Sequence, residues 1–151
     1  MANDNLRNEI MIELENLKRL VNEMNQLLAK INSTPTFLEV RAGGSILHDF
    51  YCGIEKIFER IAVQIDKNLP VGENWHIELL SQMAKAIEGI RRRIISEKLL
   101  QKLKEYMRFR HLFRHIYGFE LKWEIIEPLC IDMEIVLTEL KREIYEDSSY
   151  R

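Results

Sequence analysis

A ten-residue stretch in the second half of the chain concentrates side chains that can bind anions and transfer protons. Residues 108–117 read Arg-Phe-Arg-His-Leu-Phe-Arg-His-Ile-Tyr, with three arginines, two histidines and a tyrosine. A guanidinium is planar and permanently charged, so it suits phosphate oxygens. An imidazole exchanges its proton near neutral pH, so it suits acid–base chemistry. The stretch therefore indicates a site that combines phosphate binding with proton transfer.

If this stretch is helical, its polar side chains fall on two neighbouring faces. At about 100° per residue, Arg110, Arg114 and Tyr117 share one face of the helix. His111 and His115 stack one turn apart on the adjacent face. The opposite side is anchored in the core by three apolar residues, Phe109, Phe113 and Ile116. We therefore expect one rigid helix to present guanidinium, imidazole and phenol groups together.

Two other interpretations of the histidines have to be weighed. The His111-x3-His115 spacing also fits a pair of metal ligands, but the carboxylate of a His-Glu-x-x-His zinc helix is missing and three arginines crowd the site. We therefore predict no bound metal. In the second interpretation, His115 lies in the core with a hydrogen bond to a backbone carbonyl, and the arginines pair with acidic neighbours.

The same residues and three flanking segments resemble a known family. Arg110, His115 and Tyr117 form a pattern that is similar to the R-x4-H-x-Y signature of HEPN-domain, HepT-like toxins. Three other segments are similar to the family pattern: residues 48–60, the turn at 69–76 and the run 118–123. Together the similarity covers roughly residues 40–130.

The resemblance implies an all-α protein that forms a homodimer and cleaves RNA without a metal or other cofactor. It also implies a toxin that is held inactive by a cognate nucleotidyltransferase antitoxin. Some such antitoxins transfer AMP onto the tyrosine of the motif, which corresponds to Tyr117. One position departs from the pattern, because the residue after the motif arginine is commonly Asn in the family and is His111 here.

The chemistry of metal-free RNA cleavage suggests a role for each residue. Such cleavage needs a base for the ribose 2′-hydroxyl proton and a cation for the charged phosphorane. We assign His115 as the acid/base residue and Arg110 as the phosphate clamp. His111 orients the phosphate or carries the second proton, and Arg108 and Arg114 bind RNA. Because Arg110 and His115 point about 140° apart on a straight helix, two copies of the helix are expected to complete the site in a symmetric dimer.

Composition and charge limit the class of protein. The 151 residues are 46% hydrophobic and 30% charged, which suits one globular domain with a core. Residues 85–117 carry ten Lys and Arg against three Asp and Glu, although the net charge is −2. A basic segment between acidic ones is not typical of a general nucleic-acid coat, but it suits a local anion site. No apolar run is long enough to span a membrane, and two distant cysteines without a secretory signal predict a cytoplasmic protein.

Apolar residues recur at helical spacing along the whole chain. The first segment carries a heptad seam from Ile10 to Ile31, which needs a partner helix inside the bundle or from a second subunit. No segment alternates with the period of a strand. The predicted fold is therefore all-α, a four- to five-helix antiparallel bundle. We expect a single helical domain over residues 1–146 and a frayed tail over residues 147–151.

Several local signals predict where the helices begin and end. The second helix is expected to begin at residues 43–45, where two glycines precede a serine cap. Arg91–Arg93 suit the negative end of the third helix. Ser96 is the expected cap of the fourth helix, which continues to a break at Gly118. Pro128 belongs in the first turn of the last helix or else kinks it.

Two alternative functions remain beside a ribonuclease toxin. The first is a non-catalytic HEPN-type helical module that binds RNA, a nucleotide or a partner protein. In such a module, removal of Arg110 and Arg114 weakens binding and nothing is cut. The second is a structural bundle that uses the heptad seam for assembly, so that changes at Ile10 and Leu17 alter the oligomeric state.

Overall fold

The computed structural model describes residues 2–146, with side chains described from Asp4 onward. Five α-helices follow one another: α1 (Ala2–Lys30), α2 (Phe37–Ile61), α3 (Trp75–Met83), α4 (Glu97–Phe113) and α5 (Trp123–Tyr145). A π-helical turn (Ala62–Asp66) continues α2, and a 3-10 turn (Gly118–Glu120) separates α4 from α5. These described residues contain no β-strand, so the predicted all-α fold is confirmed. The tail predicted at residues 147–151 lies outside the described residues.

The apolar seam of α1 is buried against α2. Five of its residues are at most 4% exposed: Ile10, Leu14, Leu17, Val21 and Met24. The two helices approach closely at Gly53, where a Cβ atom would lie 2.7 Å from Leu17 Cδ2. The seam therefore has its partner helix inside the bundle, and it is not free to recruit a second subunit.

The start of α2 differs from the prediction. The helix begins at Phe37, where Thr36 Oγ1 accepts a hydrogen bond from the Glu39 amide at 3.1 Å. The Glu39 carboxylate accepts one in return from the Thr36 amide at 2.8 Å, which completes a capping box. The expected start at Gly43 and Gly44 is wrong, because both glycines are buried inside the helix. A Cβ atom at Gly44 would lie 2.6 Å from the Leu121 side chain, so glycine here permits close packing.

The arginine cluster after α3 also differs from the prediction. α3 ends at Met83, and Arg91 turns into the protein interior instead of lying at the helix end. Its Nε and Nη2 atoms donate to the two oxygens of Asp66 at 2.6 and 2.8 Å. This buried pair joins the π-helical turn to the segment before α4. The expected cap of α4 is confirmed, since Ser96 Oγ accepts from the Leu99 amide at 3.1 Å.

α5 carries the predicted apolar face. Five of its residues are at most 1% exposed: Ile126, Met133, Val136, Leu140 and Ile144. Pro128 lies inside the helix, in its second turn rather than its first. Tyr106 on α4 donates a hydrogen bond to the Leu129 carbonyl at 2.7 Å, which ties α4 to α5. No helix in the described part of the chain has both the length and the apolar character needed to cross a membrane.

Candidate functional site

The basic stretch does not form one continuous helix. α4 ends at Phe113, the Arg114 amide donates to the Arg110 carbonyl at 3.2 Å, and Tyr117 is already extended. The expected helix to Gly118 is therefore wrong, as is the single face shared by Arg110, Arg114 and Tyr117. The reason lies in tertiary packing. Phe113 and Leu121 both contact α2 at Gly44, so the chain must reverse direction between them.

The two histidines of the stretch lie together at this helix end. The His111 and His115 ring centroids are 4.3 Å apart with the planes tilted by 34°, so the two rings lie against each other one turn apart, as predicted. His115 Nδ1 lies 2.7 Å from the His111 carbonyl oxygen. A carbonyl only accepts, so Nδ1 carries the hydrogen and Nε2 of the neutral ring keeps its lone pair. His115 thus has the hydrogen bond to a backbone carbonyl that was expected for a core histidine, but its side chain is exposed and not in the core.

Arg110 is held by a buried carboxylate on α2. Its side chain is 15% exposed, and its Nε lies 3.5 Å from Glu55 Oε1. The second oxygen of Glu55 lies 2.7 Å from Nδ1 of His76, at the start of α3. One carboxylate therefore sits between a guanidinium and an imidazole that come from two different helices. Because a buried charge is costly without a partner, this arrangement favours keeping the three side chains together, although Arg110 Nε makes an ion pair with Glu55 and no hydrogen bond.

A buried tyrosine lies beside the carboxylate. Tyr51 is one helical turn before Glu55, and its hydroxyl has no hydrogen-bond partner among the described residues. Burial raises the pKa of Tyr51 well above that of an exposed phenol, and the charge of Glu55 raises it further. The ring therefore stays neutral, and the charge balance of the cluster depends on Glu55, Arg110 and His76.

A pocket of about 310 Å³ opens next to this cluster. Its walls include His76 and Ile77 from α3 and Met107, Arg108, Arg110 and His111 from α4. Three of the predicted site residues are therefore brought together in one concave surface: Arg108, Arg110 and His111. His115 adjoins them through its stacking on His111, whereas Arg114 lies outside the pocket wall at the end of the helix.

Two exposed aromatic rings follow the histidines. Tyr117 and Phe119 are 70% and 71% exposed, and their rings stack with centroids 5.2 Å apart and planes 7° from parallel. The Tyr117 amide donates to Glu120 Oε1 at 2.8 Å, which holds the turn. Arg41 reaches over Gly118, where a Cβ atom would lie 2.8 Å from its Cζ. Tyr117, the predicted modification site, is thus an accessible phenol. The guanidinium of Arg41 lies over Gly118, the residue that follows it.

The comparison with family models covers most of these elements. Residues 42–148 match the family model of a HepT-like protein, which is more than half of the chain. The chain belongs to the HepT-like family. No curated protein and no solved structure matches it. HepT-like proteins are generally HEPN-type ribonucleases that act as toxin modules on RNA. The matched range includes the whole basic stretch and also Glu55 and His76.

The cluster beside the pocket contains two residues that were not among the predicted site residues. Glu55 and His76 lie 21 positions apart and meet Arg110 only through tertiary packing. A signal for Glu55 was present, because it follows Tyr51 by four residues and precedes Phe58 by three on the apolar face of α2. A charged residue in that register needs a buried partner.

Over the residues with described side chains, no group of three His, Cys, Asp or Glu could hold a metal ion.

Proposed function

We propose that this chain is a metal-independent RNA endonuclease and the toxin of a toxin–antitoxin pair. The observation that carries the proposal is the stacked His111–His115 pair beside the pocket that Arg108 and Arg110 line. This arrangement supplies an accessible imidazole nitrogen and a fixed guanidinium within one surface. RNA cleavage by the 2′-hydroxyl needs those two groups, and family membership supports the same activity.

In the proposed reaction, Nε2 of His115 takes the proton of the ribose 2′-hydroxyl. The 2′-oxygen attacks phosphorus, the bond to the 5′-oxygen breaks, and a 2′,3′-cyclic phosphate and a 5′-hydroxyl are formed. Arg110 binds the non-bridging oxygens, where charge accumulates in the transition state. His111 orients the phosphate or supplies the second proton. No step requires a cofactor.

RNA binding is proposed to extend from the pocket along the helix end. Arg108 and Arg114 are exposed and offer charges to neighbouring phosphates. The exposed rings of Tyr117 and Phe119 offer faces on which unpaired bases stack. These features favour a single-stranded or looped RNA over a regular duplex, whose bases are already stacked.

The proposed antitoxin is a nucleotidyltransferase that acts on Tyr117. Attack of the Tyr117 hydroxyl on the α-phosphate of ATP releases pyrophosphate and leaves AMP on the ring. The exposed phenol supports this step, because an enzyme can reach it. The added negative charge and bulk occupy the surface where RNA phosphates approach, by the same physics as phosphorylation.

A symmetric homodimer in the cytoplasm remains part of the proposal. The sequence predicts the dimer from a straight helix, and α4 ends before His115, so this geometric reason for a dimer is absent. An uncovered apolar side chain directly after His111 supports the dimer, since Leu112 is 40% exposed. A second copy that covers Leu112 would bring two sets of catalytic groups to one groove.

A non-catalytic binding module is the second candidate. The ion pair between Glu55 and Arg110 favours it, because the carboxylate offsets part of the charge that a phosphate clamp needs. The replacement of the common Asn by His111 favours it as well. In this case the pocket binds RNA, and no bond is broken.

Purified protein and a labelled single-stranded RNA separate the two candidates. The ribonuclease proposal expects cleavage in the presence of EDTA. It also expects a fall of about 100-fold or more for His115→Ala, since a general base contributes that much. Circular dichroism of the variant checks that the helices are intact. Equal rates for His115→Ala and wild type would remove the role of His115, and binding without cleavage by wild type would favour the second candidate.

A further inference from the structure

A third histidine lies in the wall of the pocket and has a defined orientation. His76 is the second residue of α3, and its ring packs against that of Trp75 with centroids 3.7 Å apart and planes tilted by 33°. Its Nδ1 lies 2.7 Å from Glu55 Oε2, and its side chain is 28% exposed. The ring is therefore held on one nitrogen and one face, and it lines the same pocket as Arg110 and His111.

The buried carboxylate decides which nitrogen of His76 can act. A carboxylate accepts hydrogen bonds, so Nδ1 carries the hydrogen that points at Glu55 and Nε2 is the atom that exchanges protons. The other oxygen of Glu55 faces Arg110. One rigid carboxylate thus sets the position of the imidazole relative to the guanidinium that would hold the scissile phosphate.

We propose that His76 is a further catalytic residue, the acid that protonates the 5′-oxygen of the departing nucleotide. The inference rests on the proposed ribonuclease function and completes its proton balance. As the 2′-oxygen bonds to phosphorus, the 2′-hydroxyl proton passes to Nε2 of His115. As the bond from phosphorus to the 5′-oxygen breaks, that oxygen takes the proton from Nε2 of His76. His111, which lies in the pocket and stacks on His115, is then left to orient the phosphate.

The competing explanation is that His76 only satisfies the buried charge of Glu55. The two explanations differ in what Asn would do at this position. The Nδ2 amide of Asn occupies nearly the same place as Nδ1 of His, so it can still donate to Glu55, but it carries no exchangeable acid proton. His76→Asn therefore preserves the structural role and removes the catalytic one. His76→Ala serves as a second variant.

The experiment compares two versions of one short RNA that the wild-type protein cleaves. The second version has sulfur in place of the bridging 5′-oxygen, and a thiolate departs without a proton. We expect His76→Asn to cleave the ordinary RNA about 100-fold more slowly than the wild-type protein does. On the sulfur RNA, we expect the rate of the variant to lie within about threefold of the wild-type rate. His115→Ala is the matched control, since loss of the base slows both substrates. Cleavage of the sulfur RNA also shows that the His76 variant is folded.

Each other outcome overturns a defined part of the inference. If His76→Asn cuts ordinary RNA at the wild-type rate, His76 is a structural partner of Glu55 and is not the acid. If the variant is equally slow on both RNAs, His76 acts before the leaving group departs, and its role as the acid is overturned. If the wild-type protein cuts no RNA, the proposed function is wrong, and the role of His76 as the acid is wrong as well.

Discussion

Glu55 on α2 holds Arg110 on α4, with 3.5 Å between Oε1 and Nε. This ion pair links two neighbouring helices, and Arg110 is also part of the pocket wall. The ion pair positions the guanidinium before any ligand is bound, so in the proposed reaction Arg110 would lose less conformational entropy on binding a phosphate. The Glu55 carboxylate also offsets part of the positive charge of Arg110. The structure therefore favours precise placement of Arg110 over maximal attraction of anions.

We expect Glu55→Gln to lower kcat by about tenfold while KM changes little, because the amide keeps the shape but no longer holds Arg110 and His76 in register. Steady-state kinetics with a labelled RNA measure both constants. Asp49→Asn is the matched control, since Asp49 is a carboxylate on the same helix whose side chain is 60% exposed. A wild-type kcat in Glu55→Gln would show that the ion pair does not position the clamp.

Gly44 tests whether the reversal after α4 positions the histidines. A Cβ atom at Gly44 would lie 2.6 Å from Leu121 Cδ1 and 2.9 Å from Phe113 Cε1, so Gly44→Ala must shift the two side chains that flank the reversal. We expect the cleavage rate to fall about tenfold or more, since small displacements of catalytic groups cost that much. Gly43→Ala is the control, because its closest contact would be a milder 3.3 Å to Ile126 Cδ1. Equal activity in the two variants would contradict this role of Gly44.

The parts of the fold that the sequence predicts correctly are those with local causes. The seam of α1 and the cap at Ser96 depend on residues three or four positions apart, and both are present. The start of α2 also has a local signal, Thr36 with Glu39 three residues later, whereas the predicted start rests on the two glycines at 43 and 44. Those glycines permit close packing, which a single sequence cannot distinguish from a turn.

The site was only partly predictable, because some of its contacts depend on tertiary packing and not on local residue spacing. Arg110, His111 and His115 are close in sequence, and the stacking of the two histidines follows from helical spacing. The end of α4 at Phe113 has no glycine or proline to mark it, because packing against α2 causes it. The approach of Glu55 to Arg110 depends on how α2 crosses α4. Neither feature can be read from residue spacing.

Arg108 and Arg114 are expected to bind RNA through phosphates and not to act in the chemical step. Each change to Ala should weaken binding of a non-cleavable 2′-deoxy oligonucleotide. It should also reduce the slope of log affinity against log salt concentration by about 1. Titrations at several salt concentrations measure the slope. Arg19→Ala, an exposed arginine on α1, is the control and should leave the slope unchanged. An unchanged slope in the Arg108 and Arg114 variants would place RNA elsewhere.

Cys130 is expected to make the fold sensitive to alkaline pH. Burial among apolar side chains raises the pKa of the Cys130 thiol to about 12, from 9.0 in an exposed thiol. Its stabilising contribution is therefore complete below pH 9.0 and is lost as pH rises towards 12. The free energy of unfolding by urea should fall between these values, and it should fall less steeply in Cys130→Ala. An identical pH dependence in the variant would exclude Cys130 as the cause.

Tyr117 is expected to control the activity without taking part in it. The residue is 70% exposed and follows His115 by two positions, so in the proposed reaction an added AMP group would stand close to the imidazole that accepts the proton. Protein isolated together with its nucleotidyltransferase should carry one or more AMP units on the Tyr117 peptide, as measured by mass spectrometry, and should not cleave RNA. Tyr117→Phe keeps the stacking face but lacks the hydroxyl, so it should cleave RNA whether or not the transferase and ATP are present. Inhibition of Tyr117→Phe to the same extent as wild type would mean that the antitoxin acts by covering the site and not by modifying it.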